Sequence, residues 1–259
     1  MTELMESVIQ AVSKSTLNFS KDKIKSIDIK DFDSTNYVTN IDRQIEQNLK
    51  KNLIPLVRES KFLGEEQKKK EVSDGFLWIV DPIDGTTNFV RGIPNAYTSV
   101  GLYHMHTPML GVVYNPATDE MWTAEVGHGA QYNGKEIHVS NRCFKESILN
   151  MHYDVYHKEH SDQLFRLSSE VYNQIEDIRS FGSATYSLVS IAMGQTDLML
   201  CQNCKIWDIA AGLRILLEAG GHYELITEDC GMYKGNITII AGNYLSSVKF
   251  LREIYERVI

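Results

Sequence analysis

Apolar positions mark out the elements before any chemistry is considered. Leu4, Val8, Val12 and Phe19, flanked by Met5 and Ile9, recur near helical spacing and predict an amino-terminal helix. Residues 21–37 (KDKIKSIDIKDFDSTNY) are polar without a regular period and read as a loop. Ile41, Ile45, Leu49 and Leu53 step by four and predict a second helix. Thr39 is its expected N-cap, Asp42 lies in its first turn and Pro55 stops it. Residues 61–65 (KFLGE) predict a short strand ending in acids, and the EEQKKKE run reads as a solvated loop. FLWIV at 76–80 is short and wholly apolar, the pattern of a buried strand. The turn-rich string DPIDGTTN follows it.

From 96 to 140 the pattern is that of an antiparallel meander. AYTSVGLYHM, PMLGVVYN and EMWTAEV are separated by turn signals, and Asn133-Gly134 is a strong hairpin signal. After that the grammar changes to strands alternating with helices. Strands are expected at 147–152, 178–181, 196–201, 222–226 and 237–241, and helices at 158–174, 184–193, 208–219 and 244–257. Such alternation predicts an α/β half. The expected boundary lies near residue 145. It divides an N-terminal α+β half (1–145), with the antiparallel sheet, from a C-terminal α/β half (146–259). No internal repeat is visible.

Composition narrows the function classes. The 259 residues are 43% hydrophobic and 23% charged, which is ordinary globular composition. A formal net charge of −8 argues against a nucleic-acid polymer as partner, because phosphate backbones demand clustered Lys and Arg. Carboxylate excess leaves two readings open: a solvated surface, or clustered acids that require a divalent cation. Cys143, Cys201, Cys204 and Cys230 do not suggest a disulfide scaffold. MTELMESVIQAV lacks a basic segment followed by an apolar core, and no apolar run approaches a membrane span. The expectation is a cytoplasmic protein with no membrane partner.

The chemistry concentrates at Trp78-Ile79-Val80-Asp81-Pro82-Ile83-Asp84-Gly85-Thr86-Thr87-Asn88. A buried strand there delivers two carboxylates at its carboxyl end, where open α/β sheets place ligands. Asp81 and Asp84 offer oxygen donors of the kind hard divalent cations bind. Gly85 removes a Cβ where a phosphate would approach, and a helical turn opening at 85–88 would face an anion with its N–H groups. Taken alone, D-P-x-D reads as a turn followed by a helix cap before it reads as a metal site.

The longer string settles more. WIVDPIDGTTNF resembles the first signature of the inositol monophosphatase family, and Ile206-Trp207-Asp208-Ile209-Ala210-Ala211-Gly212 resembles its second, W-D-x-A-A-G. FLGEE at 62–66 resembles the family's upstream acidic segment, and RSFGSA at 179–184 and EAGG at 218–221 also fit in order. The resemblance implies the sugar-phosphatase fold, a layered αβαβα sandwich, and Mg²⁺-dependent hydrolysis of a small phosphorylated alcohol. It implies two or three Mg²⁺ ions. Glu65, Asp81 and the Ile83 carbonyl would hold the first, and Asp81, Asp84 and Asp208 the second. Glu65 would also touch a third. Thr86, paired with Asp42, would sit by the nucleophilic water, and the Gly85 and Thr86 N–H groups would bind phosphate. Gly182, Ser183 and Ala184, with Asp84 and Asp208, would line the substrate pocket. Lithium inhibition and a homodimer are implied by the same resemblance. Crowding these carboxylates without counter-charge would be unfavourable, since like charges raise one another's pKa. Two metals would relieve that and clamp the attacking and leaving oxygens of an in-line displacement.

Several of these residues have plainer readings. Asp42 completes a near capping box with Thr39, Asp208 would be the N-cap of helix 209–219, and Ser183 would cap helix 184–193. Glu65 and Glu66 read equally as solvated strand-end acids. Cys201-x-x-Cys204 lacks the second ligand pair that a zinc site needs, and His104-x-His106 reads as surface. The acids of DIKDFD at 28–33 resemble the family's loop over the active site, or are simply exposed. The substrate is less defined. Where many inositol monophosphatases have an inositol-contacting glutamate, seven residues before the W-D aspartate, this chain has Cys201, a weak hydrogen-bond partner. Lys205 would greet a second phosphate, or is a surface lysine. The 2′-phosphate of NADP, fructose 1,6-bisphosphate and 3′-phosphoadenosine 5′-phosphate therefore stay open as substrates. So does a non-catalytic protein that binds metal or polyol phosphate.

Overall fold

The computed structural model describes residues 1–29, 37–67, 75–153, 158–227, 233 and 235–259. Helix α1 (Glu3–Ser15) starts at Thr2, whose hydroxyl accepts from the Met5 N–H. Strands β1 (Ile27–Ile29) and β2 (Tyr37–Thr39) form a short antiparallel pair. Helix α2 (Asn40–Leu53) follows, opened by a capping box between Thr39 and Asp42. The first large sheet comprises β3 (Lys61–Gly64), β4 (Phe76–Asp84), β5 (Tyr97–His104), β6 (Thr107–Asn115), β7 (Glu120–Glu125), β8 (Ala130–Tyr132) and β9 (Lys135–Ile137), in that spatial order. The short helix α3 (Thr86–Arg91) lies between β4 and β5. Only β3 runs parallel to its neighbour; the rest is the expected meander. Asn133 and Gly134 both take positive φ and close the β8–β9 hairpin as their sequence demands.

The second sheet is built from β10 (Ile148–His152), β11 (Asp177–Arg179), β12 (Leu198–Cys204), β13 (His222–Thr227) and β14 (Ile237–Gly242). Its order is β11-β10-β12-β14-β13, parallel on the first side of β12 and antiparallel on the other. Helices α4 (Ser161–Tyr172), α5 (Ala184–Ala192), α6 (Ile206–Glu218) and α7 (Leu245–Val258) complete the chain. The layers alternate. Helices α1 and α2 cover the outer face of the first sheet, α5 and α6 fill the space between the sheets, and α4 and α7 cover the far face of the second. This is the αβαβα sandwich.

Strand β4 shows why its apolar run is continuous. Trp78 and Val80 enter the core beneath α1 and α2, whereas Leu77 and Ile79 enter the core around α6. A strand buried on both faces has no polar side. Close approach of α6 also leaves its mark: a Cβ on Gly111 of β6 would fall 2.4 Å from the Ala211 carbonyl oxygen.

Several expectations are adjusted. The polar stretch 21–37 contains the β1–β2 pair, held in part by Asn40, whose side-chain oxygen accepts from the Lys25 and Ser26 N–H groups. Polar clamping replaced an apolar pattern there. Helix α6 starts at Ile206, so Asp208 sits at its third position and is not the N-cap; Lys205 occupies that place. The apolar pair Ile206 and Trp207 is buried as part of the helix. Residues 158–160 form a 3-10 turn ahead of α4. Most of the DIKDFD acids, the basic run 68–70 and Cys230 lie outside the described residues.

Candidate active site

The acids meet through a defect in the first sheet. In an unbroken strand, residues three apart point to opposite faces. Between Asp81 and Asp84 the β4–β5 register slips: Asp81 pairs with Ser99 and Asp84 with Tyr97, three steps opposing two. This bulge returns both side chains to one face, the side of α5 and α6. It is pinned by Thr98, whose hydroxyl donates to the Pro82 carbonyl at 2.8 Å. Gly85, with φ of 84°, then turns the chain into α3; a Cβ there would lie 2.7 Å from the Asn95 carbonyl oxygen.

Glu65 arrives from the end of β3, its N–H donating to the Val80 carbonyl beside Asp81. Asp208 arrives from the first turn of α6 and accepts from the Lys205 N–H at 2.7 Å. Glu65, Asp81, Ile83, Asp84, Gly85, Thr86, Gly182, Ala184 and Asp208 all line one cavity of about 330 Å³. Two expected members stand behind this wall. Ser183 caps α5, accepting from the Tyr186 N–H, and donates to Asp84 Oδ2 at 2.5 Å. Asp42 is fully buried, and its Oδ2 accepts from the Thr39 N–H and hydroxyl. The Thr86 hydroxyl donates to the Ile83 carbonyl at 3.0 Å.

Burial and mutual repulsion set the charge state. Asp81 is pushed well above its ordinary value, first by burial and then by Glu65, Asp84 and Asp208. Asp208 is raised by burial, then by Asp84 and Glu65. Burial lifts Asp84 to about 6, against the stabilising hydrogen bonds from Ser183 and the Thr185 N–H. The acids relieve their crowding with hydrogen bonds, including one between the Glu65 and Asp81 side chains. Among the described residues, no three His, Cys, Asp or Glu side chains are drawn together as a finished metal cage. The donor set still suits a hard divalent cation, since the side chains of Glu65, Asp81, Asp84 and Asp208, which line the cavity, offer only oxygen.

Another part of the lining was less visible in the sequence. It is formed by His152, Tyr153, Cys201, Gln202, Asn203 and Cys204. His152 ends β10 beside Cys201 of β12, and its Nε2 lies 2.8 Å from the Ser187 hydroxyl. Burial lowers its pKa to about 4, so the ring is neutral near pH 7. Asn88 was also missed. Its amide donates to the Asn95 and Phe181 carbonyls and ties the α3 turn to the Gly182 segment. The one available signal for His152 is its place at the carboxyl end of a predicted strand.

Comparison with known proteins defines the class first. The chain is 33% identical to an inositol-1-monophosphatase of Rhizobium meliloti, over 99% of this chain and 97% of that protein. It is 32% identical to a fructose-1,6-bisphosphatase/inositol-1-monophosphatase of Aquifex aeolicus, over 85% of this chain and 83% of that one. The crystal structure of the extragenic suppressor protein suhB of Bartonella henselae superposes with a TM-score of 0.86 at 29% identity, covering 100% of both chains. These relatives place the protein among the phosphoric monoester hydrolases. The chain belongs to the inositol monophosphatase family, whose model matches residues 1–258.

Proposed function

We propose that this protein is a Mg²⁺-dependent phosphomonoesterase that hydrolyses a small phosphorylated alcohol such as inositol 1-phosphate. One observation carries the reading. Carboxylates from the end of β3, from β4 and from α6 face a single cavity beside a glycine turn, and burial with mutual repulsion raises Asp81 and Asp208 well above the ordinary carboxylate range. Such crowding is unfavourable without a counter-charge. Glu65, Asp81, the Ile83 carbonyl, Asp84 and Asp208 are the proposed metal ligands, and Mg²⁺ held there would supply Lewis-acid activation of water and stabilise the leaving alkoxide. The half 1–145 supplies all of these except Asp208, which comes from the half 146–259.

The chain's own groups set the geometry. Thr86 orients the attacking water with its hydroxyl, and Asp42, held rigid by the capping box, is the proton acceptor paired with it. Glu65 shares in positioning that water. The Gly85 and Thr86 N–H groups take the phosphate. Ser183 and the Thr185 N–H fix Asp84, and Gly182 and Ala184 give the substrate room. Family resemblance adds lithium inhibition and a homodimer to the proposal, and the sequence reading adds a cytoplasmic location.

The alcohol side favours a neutral leaving group. Among the described residues, the cavity lining includes no Lys or Arg to meet a second phosphate. Fructose 1,6-bisphosphate stays a second reading because the Aquifex aeolicus relative carries both names. The test is phosphate release with Mg²⁺ from inositol 1-phosphate, fructose 1,6-bisphosphate, NADP and 3′-phosphoadenosine 5′-phosphate. Inositol 1-phosphate is expected to lead in kcat/KM. Asp81→Asn should lose at least about 100-fold in kcat while staying folded. Full turnover in excess chelator would rule the reading out. Tight substrate binding without phosphate release would indicate a non-catalytic binding protein.

A further inference from the structure

The second sheet repeats, at the same cavity, the backbone device of the first. Cys201 pairs with Ile239 and Cys204 with Ile237, so three steps on β12 oppose two on β14. Asn203 takes up the extra residue with φ of 56°. Two regular strand steps span about 6.6 Å, within the range of about 4.4–6.8 Å that separates the Cα atoms of a disulfide. Facing is restored as well. Met199, Cys201 and Cys204 all enter the core around α6, whereas Leu198 and Leu200 enter the outer core. Both thiols are free and both line the cavity.

We propose that Cys201 and Cys204 are an oxidisable dithiol in the cavity wall, closed to a disulfide by peroxide and reopened by a dithiol reductant. Cys204 Sγ donates to the Ile237 carbonyl at 3.2 Å, whereas Cys201 Sγ is held more loosely, donating to the Gln202 carbonyl at 3.7 Å, so Cys201 is the thiol that meets the oxidant. The Cys201 sulfur attacks one peroxide oxygen, the O–O bond breaks, and water leaves as the sulfenic acid forms. The Cys204 sulfur then displaces that hydroxyl as a second water, forming the S–S bond. The two thiols are oxidised by two electrons and the peroxide is reduced by two. Closure removes the Cys204 bond to Ile237 and stiffens the bulge that leads through Lys205 to Asp208. The oxidised protein therefore binds substrate less well, a consequence that rests on the phosphatase reading, whereas the dithiol chemistry does not.

Cleavage after Arg179 and Lys205 releases one peptide carrying both cysteines and no other. Protein treated with hydrogen peroxide, then alkylated under denaturing conditions and digested, should yield that peptide two hydrogens lighter and unalkylated. Dithiothreitol should restore both alkylation sites. Cys204→Ala should not give the lighter peptide, and Cys143→Ser should still give it. Alkylation of both cysteines after peroxide, or a bridge from either one to Cys143, would overturn the proposal. In kinetics on inositol 1-phosphate, oxidation should raise KM at least about threefold in the unmodified chain and not in Cys204→Ala. Closure with unchanged KM would overturn the link to substrate. An untreated enzyme that releases no phosphate would defeat the phosphatase reading alone, since the peptide mass is read independently.

Discussion

Asp84 and His152 line the same cavity, and folding shifts their proton affinities in opposite directions. Asp84 titrates near 6 in the folded protein and near 3.8 when free, so between those values the folded state holds the extra proton. Stability therefore falls as pH rises through this window, by about 3 kcal/mol in full. His152, lowered from 6.5 to about 4, loses stability in the other direction, as pH drops from 6.5 toward 4. The absolute pH profile mixes the two, and a difference separates them. In chelator, Asp84→Asn should gain stability over the parent as pH rises from 4 to 7, because asparagine still accepts from Ser183 and the Thr185 N–H. Denaturant unfolding at several pH values checks it; a pH-independent difference would mean that Asp84 is not held protonated. Motif residues such as Asp81, Asp84 and Asp208 were legible because their chemistry lies in their identity. His152 was not, because a buried neutral histidine has no pattern in a single chain.

Two bulges explain most of what stayed hidden at the level of elements. The strand under Asp81 was readable from FLWIV, but D-P-I-D spacing in an ideal strand would separate the two carboxylates. Only backbone pairing shows that Asp81 and Asp84 share a face. Similarly, β12 was expected to stop at Cys201, because Gln202 and Asn203 break the apolar run that the bulge carries on to Cys204. Helix α6 was misplaced by its start for a related reason: Asp208 looks like a cap, yet the buried Ile206 and Trp207 precede it inside the helix. That helix is also where packing is tightest. A Gly111→Ala methyl would have to displace the Ala211 backbone, since 2.4 Å is far inside contact distance. Overpacking of this kind costs about 1–3 kcal/mol. The variant should unfold at lower denaturant and, because α6 carries Asp208, should also lose kcat. A stable variant with full kcat would show that α6 can slide without disturbing the site.

Across the whole molecule, the segment between the sheets is anchored by Asp197. Its fully buried carboxylate accepts from the Arg142 guanidinium, the Ser140 hydroxyl and the Ile148 N–H. Asp197→Ala strands those donors and should cost about 3–5 kcal/mol, measured by denaturant unfolding, while leaving KM unchanged in the protein that remains folded. A stability loss under about 1 kcal/mol would mean the anchor is redundant.

The cores argue further that the two sheets unfold together. The core around α6 draws Leu63, Leu77 and Ile79 from the first sheet and Met199, Ile237 and Ile239 from the second. Neither sheet can expose its inner face without α6 losing partners on both sides. Trp78 and Trp122 report on the first sheet and Trp207 on α6, so tryptophan fluorescence and far-ultraviolet circular dichroism should trace one coincident transition. Magnesium extends the test to the site. A cation that binds only the folded protein at a hundred times its Kd adds about 2.7 kcal/mol. For a chain of this size that is a rise in Tm of about 5–10 °C. Asp208→Asn, which removes the one proposed charged ligand supplied by the carboxyl-terminal half, should shrink that rise without splitting the transition. Two resolved transitions would show that the sheets fold separately, and a Tm indifferent to Mg²⁺ would leave the buried carboxylates with no cation to neutralise them.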